Sequence, residues 1–140
     1  MVWGKGRWPL VGLPAGQFGN SEVGHLNIGA GRIVQQDITK IDNAISNNSF
    51  NTNAAFTSVL NNTPSKCVHI MGLLSDGGVH SHINHIFALI KLMQNSNQID
   101  TIWLHLFLDG RDTPPQSAIS YLEQLNQLLT TCNKVKNSNY

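Results

Sequence analysis

The sequence is short of charge. Only 12% of its 140 residues are Asp, Glu, Lys or Arg, against about 25% in an average soluble domain. Nine basic and eight acidic residues give a formal net charge of +1, which leaves no broad basic face and excludes nucleic acid as the default partner. There are two cysteines, Cys67 and Cys132. They are too few for a disulfide framework and read as reduced intracellular thiols. No apolar run approaches the roughly 18 residues of a membrane helix, so no membrane partner is expected. Residues 1–9 lack the apolar core of a secretory signal. Hydrophobic residues still make up 41% of the chain, which excludes disorder by low hydrophobicity and allows one buried core. Asparagine and glutamine take the place of charge. Such a surface is poorly solvated, which implies that part of it is covered by something else.

What is present alternates. Residues 1–20 carry Gly12, Pro14, Gly16 and Gly19 without helical period and read as loop. Ser21 reads as the cap of a short helix with Glu22 in its first turn. The spacing of Ile38, Ile41 and Ile45 predicts a helix over 37–46, and a second follows over 51–60. The apolar runs Cys67–Leu74 and Thr101–Leu108 predict buried strands. Helices are expected over 80–93, from the spacing of Ile83, Ile86, Phe87 and Ile90, and over 114–129, opened by Pro114 and Pro115. The tail from Asn133 reads as frayed. This order predicts an α/β domain with parallel strands. Two strands make a marginal sheet alone, so the chain reads as part of a larger one.

Four segments invite a chemical reading, and three keep one. In Gly19-Asn20-Ser21-Glu22-Val23-Gly24-His25, a serine at a helix start is either a cap or a nucleophile placed where backbone amides favour an anion. Gly29-Ala30-Gly31 fails as a dinucleotide fingerprint, because Val34 holds the third glycine position and no strand precedes it. Ser75-Asp76-Gly77-Gly78-Val79-His80-Ser81-His82, with His85, lets the backbone approach an anion. Its histidine spacing permits a metal, but capping or surface roles are expected for at least two of the three. His69 and His105 lie in the strand runs and read as interior histidines. Asp109-Gly110-Arg111-Asp112 follows the second strand. Arg111 there is suited to clamp a phosphate or carboxylate, and Asp112 to accept from a hydroxyl or act as a base. A simple turn with a local ion pair is the alternative.

Together these segments resemble the cofactor-independent (2,3-bisphosphoglycerate-independent) phosphoglycerate mutases of the alkaline phosphatase superfamily. The resemblance runs from Gly12 to the late 120s. It is carried by the stretch Gly16 to Val34 and by His69-Ile70-Met71-Gly72-Leu73-Leu74-Ser75. Gly77-Gly78-Val79-His80-Ser81-His82 and Leu108-Asp109-Gly110-Arg111-Asp112-Thr113-Pro114-Pro115 complete it. It implies interconversion of 3-phosphoglycerate and 2-phosphoglycerate through a phosphoserine, with two divalent metals, usually manganese, in a cytoplasmic and monomeric enzyme. It implies that Ser21 is the nucleophile and a metal ligand, that His80, Arg111 and Asp112 bind substrate, and that Asn20 neighbours the phosphate site. The fold it implies is a short piece of the phosphatase-like domain (1–35) followed by the first part of an inserted α/β phosphotransferase domain (36–140). The family's Asp-Gly-Tyr/Phe-Gly segment and its C-terminal aspartate and histidine ligands are not in this sequence, so the isolated chain is expected to be incomplete and inactive. Alternatives are a non-catalytic phosphoglycerate-binding fragment, half of a split enzyme, or another phosphomutase or phosphatase of the superfamily.

Overall fold

The computed structural model describes residues 11–14, 17, 19 and 21–136, without the side chain of residue 136. Helix α1 (Ser21–Ala30) is followed by α2 (Asp37–Ser46), a 3-10 turn (Ser49–Thr52) and α3 (Ala54–Asn61). Strand β1 (Cys67–Leu74), helix α4 (Ile83–Asn95), strand β2 (Thr101–Leu108), helix α5 (Ala118–Leu129) and the short strand β3 (Val135–Lys136) complete the order.

The three strands form one parallel sheet in the order β1-β2-β3. Each crossover advances one strand in the same direction. Right-handed crossovers of that kind bring both helices to one face. The core shows this. Val68, Ile70, Leu74, Ile102 and Leu104 from one strand parity cluster with Ile83, Ile86, Ile90 and Met93 of α4 and with Tyr121 and Leu125 of α5. Gly72 is part of the fit, since a Cβ there would come within 3.2 Å of Ile86 Cδ1.

The other parity stays open. His69 and His105 are exposed, as are Met71 and Phe107 at 68% and 62%. This corrects the reading of the two histidines as interior. They satisfy each other across the strands, with Nδ1 of His69 2.8 Å from Nε2 of His105. The apolar run suggested cover on both sides, and the described elements cover one.

Four boundaries also differ from expectation. The segment read as one helix over 51–60 is divided at Asn53, whose side chain accepts from the Ala55 amide at 2.9 Å and caps α3. Helix α4 begins at Ile83 rather than residue 80 because His82 is extended and caps it, its Nδ1 accepting from the Asn84 amide. Helix α5 begins at Ala118 rather than at the prolines, because Gln116 has a left-handed φ of 66°. The tail read as frayed contains β3, which pairs Val135 with Ile102.

Helix α1 is held differently. Val23 is its one buried residue. Asn27 fastens it, donating to the Val11 carbonyl at 2.9 Å and accepting from the Val34 amide at 2.6 Å. Gly31 ends it with a φ of +63°, a conformation that suits glycine after a helix. Gly12 turns with a φ of +79°, and a Cβ there would lie 2.2 Å from the Val34 carbonyl oxygen.

Candidate functional site

Register creates the site. Leu74 is paired with Leu108, so the next residues, Ser75 and Asp109, leave the sheet side by side. This is the carboxyl edge of a parallel sheet, where α/β folds bind ligands. The Ser75 hydroxyl, fully buried, donates to Asp109 Oδ2 at 2.6 Å and accepts from the Gly77 amide at 3.0 Å. The other carboxylate oxygen of Asp109 accepts from the amides of Arg111 at 2.9 Å and Asp112 at 3.1 Å. The Ser75 hydroxyl, then these two amides, hold the Asp109 carboxyl below its ordinary range. Asp109 is therefore an ionised organiser, with both carboxylate oxygens engaged by the chain itself.

The two loops then meet again. Gly77 packs on Asp112, where a Cβ would come within 3.1 Å of the Asp112 Cβ. His80 Nε2 lies 3.6 Å from Asp112 Oδ2. The His80 side chain is 65% exposed and that of Asp112 is 18% exposed, so the pair presents its imidazole outward. Arg111 is exposed beside them. Below, the Tyr121 hydroxyl of α5 donates to Asp76 Oδ1 at 2.5 Å, which pushes the tyrosine's pKa up. The backbone seals the loop, with the Ile83 amide donating to the Ser75 carbonyl at 2.7 Å.

His80, Arg111 and Asp112 are thus brought together. His82 and His85 are not part of the group. His82 caps α4, and His85 Nε2 meets Asp42 Oδ1 of α2 at 2.7 Å. Sequence reasoning missed the bond between Ser75 and Asp109 and the pairing of Asp76 with Tyr121. Its one available signal was that Ser75 and Asp109 each directly follow a strand end.

Ser21 lies outside this group, on α1. It is the first residue of α1, and the capping position falls on Asn20, outside the described residues. The Ser21 side chain is exposed. His25 Nδ1 lies 2.7 Å from the Ser21 carbonyl oxygen and 3.1 Å from its hydroxyl. A ring nitrogen that close to a carbonyl oxygen is protonated and donates to it, so this nitrogen is no base for the hydroxyl. Glu22, next to Ser21, and His80 line one open cleft of about 960 Å³. Among the described residues no three His, Cys, Asp or Glu side chains gather to hold a metal ion. A single serine hydroxyl does not make a divalent-cation site.

The comparisons decide the family. Residues 41–138 match the family described as BPG-independent PGAM N-terminus (iPGM_N). The chain belongs to this family. It is 57% identical over 123 residues to the 2,3-bisphosphoglycerate-independent phosphoglycerate mutase of Chromobacterium violaceum, covering 88% of this chain and 24% of that protein. It is 60% identical over 122 residues to the corresponding mutase of Laribacter hongkongensis, covering 87% of this chain and 24% of that protein. A solved structure described as Leishmania mexicana phosphoglycerate mutase at low cobalt concentration matches with a TM-score of 0.76 and 35% identity. That match covers 87% of this chain and 23% of the Leishmania chain. The chain spans about a quarter of the length of the curated relatives it matches, and the α/β fold agrees with the solved relative. Among the described residues no helix is long and apolar enough to cross a membrane.

Proposed function

We propose that the chain serves the interconversion of 3-phosphoglycerate and 2-phosphoglycerate as the part of a mutase that grips the glycerate and offers the nucleophile. The observation that carries this reading is the approach of His80 to Asp112 at 3.6 Å, beside Arg111, in a chain 57% identical to a named mutase.

Arg111 supplies the planar fork that matches a carboxylate or phosphate. His80 adds a second donor on the same side. Asp112 faces the hydroxyls of the glycerate. In the reaction the bond between phosphorus and one glycerate oxygen breaks as the Ser21 oxygen takes the phosphoryl group. The group then returns to the neighbouring oxygen, and the serine is restored. The departing glycerate oxygen gains a proton and the attacking one gives a proton up, so no proton is consumed overall. Asp112 is the group here suited to hand the departing oxygen its proton and to take one back from the attacking oxygen, while the proton Ser21 loses on phosphorylation returns when the serine is restored. Asn20 would neighbour the transferring phosphate. The complete enzyme would use two divalent ions, manganese by the family resemblance. The described residues do not assemble their site. In this reading residues 1–35 belong to the nucleophile-bearing domain and 36–140 to the inserted phosphotransferase domain.

The test is calorimetric titration of 3-phosphoglycerate into the purified chain. Wild type should bind, and Arg111→Ala should weaken binding by about tenfold or more, the loss of a charge-assisted pair. In an enolase-coupled assay with manganese the isolated chain should not turn over. Absent binding, or binding indifferent to Arg111, would sink the proposal.

A further inference from the structure

We infer that Asp109, together with Ser75, is the positioning pair that sets Arg111 and Asp112 against His80. The inference rests on the substrate-binding reading above and names the residues that build that site. Asp109 uses both carboxylate oxygens internally. One receives the buried Ser75 hydroxyl at 2.6 Å, and the other receives the amides of Arg111 and Asp112 at 2.9 and 3.1 Å.

Three independent bonds follow from this one side chain. The first ties the end of β2 to the end of β1. The other two fold the backbone of residues 109–112 back on itself, so that the Asp112 carboxylate returns toward the Gly77–His80 loop. Ser75 closes the circuit by accepting the Gly77 amide at 3.0 Å. Ser75 is fully buried, and each carboxylate oxygen of Asp109 is already engaged by the chain itself. Their effect on binding passes through the placement of Arg111, Asp112 and His80.

The chemistry separates geometry from charge. Asparagine at 109 keeps an oxygen for the two amides and turns an NH2 group toward Ser75, whose oxygen can accept it. Alanine keeps nothing. The experiment compares wild type, Asp109→Asn, Asp109→Ala and Ser75→Ala as full chains. Two readouts are taken: 3-phosphoglycerate titration, and amide hydrogen exchange at Arg111 and Asp112 without ligand.

Asp109→Ala should weaken 3-phosphoglycerate by about tenfold and speed exchange at the two amides by a similar factor. Asp109→Asn should restore both to within about threefold of wild type. Ser75→Ala, a truncation at a buried position that adds no atoms, should fall between them and serves if Asp109→Ala does not fold. A folded Asp109→Ala with wild-type affinity and wild-type exchange would overturn the inference. So would an asparagine variant as impaired as alanine, because the charge would then matter rather than the placement. If wild type fails to bind 3-phosphoglycerate, the functional reading falls. The exchange data then decide the positioning role without it.

Discussion

The two faces of the sheet are close in composition and opposite in fate. Ile70 and Met71 are neighbours on β1, yet Ile70 is 4% exposed and Met71 68%. On β2, Leu104 is buried and Phe107 is exposed. Hydrophobicity does not separate these pairs. Strand parity and the hand of the crossovers do, because α4 and α5 are delivered to the same side. A parallel sheet ordinarily has both faces covered. Among the described residues one face of this sheet is covered, in a chain that spans about a quarter of the length of its curated relatives.

The sharpest way to break this comparison is to truncate neighbours on opposite faces. Ile70→Ala should cost about 2–5 kcal/mol, the range for deleting a buried aliphatic side chain. Met71→Ala should change stability by less than about 0.5 kcal/mol. Urea unfolding followed by circular dichroism measures both. Similar losses at the two positions would show that the exposed face is packed in solution.

The same parity explains what was legible in the sequence. Apolar runs gave β1 and β2 their observed limits, and the isoleucine spacing gave α2 its limits. Local backbone chemistry moved the starts of α4 and α5. Nothing in residues 80–82 announces that His82 turns extended to cap α4, nor that Gln116 adopts a left-handed conformation. Strand β3 has two residues, too few for any period. His69 and His105 were misplaced because an apolar run cannot say which of its sides a helix will reach. In the site, glycine and charge spacing marked both loops, and the family resemblance picked out His80, Arg111 and Asp112 within them. The link between Ser75 and Asp109 was hidden because it depends on register between residues 34 apart.

At the carboxyl edge, where the two faces end, acid provides a gentler probe. Asp109 has its carboxyl pKa lowered by the Ser75 hydroxyl first and by the Arg111 and Asp112 amides next. A carboxyl whose folded pKa is depressed stabilises the fold above its unfolded value. That contribution is lost as pH falls through the lowered folded value. Unfolding midpoints from neutral pH down to about pH 2 should therefore decline on the acid side. Asp109→Asn should flatten part of that decline. An acid limb unchanged by the substitution would mean that the carboxylate is not held as described.

The smallest effect on stability belongs to the open face, and it is informative because it is small. Met71→Lys and Phe107→Lys place a charge where a buried neighbour would reject it. On an exposed face, a lysine stem lies along apolar surface while its ammonium stays in water. Each substitution should shift stability by less than about 0.5 kcal/mol. Both should raise the concentration at which the chain stays monomeric in light scattering, because they interrupt an exposed apolar patch on a chain of nearly zero net charge. The neighbouring pair of His69 and His105 is left intact, so any change reports on the patch and not on the strand pairing. A loss above about 1 kcal/mol would place these side chains against a partner surface. Equal scattering before and after would show that association runs through an edge strand instead.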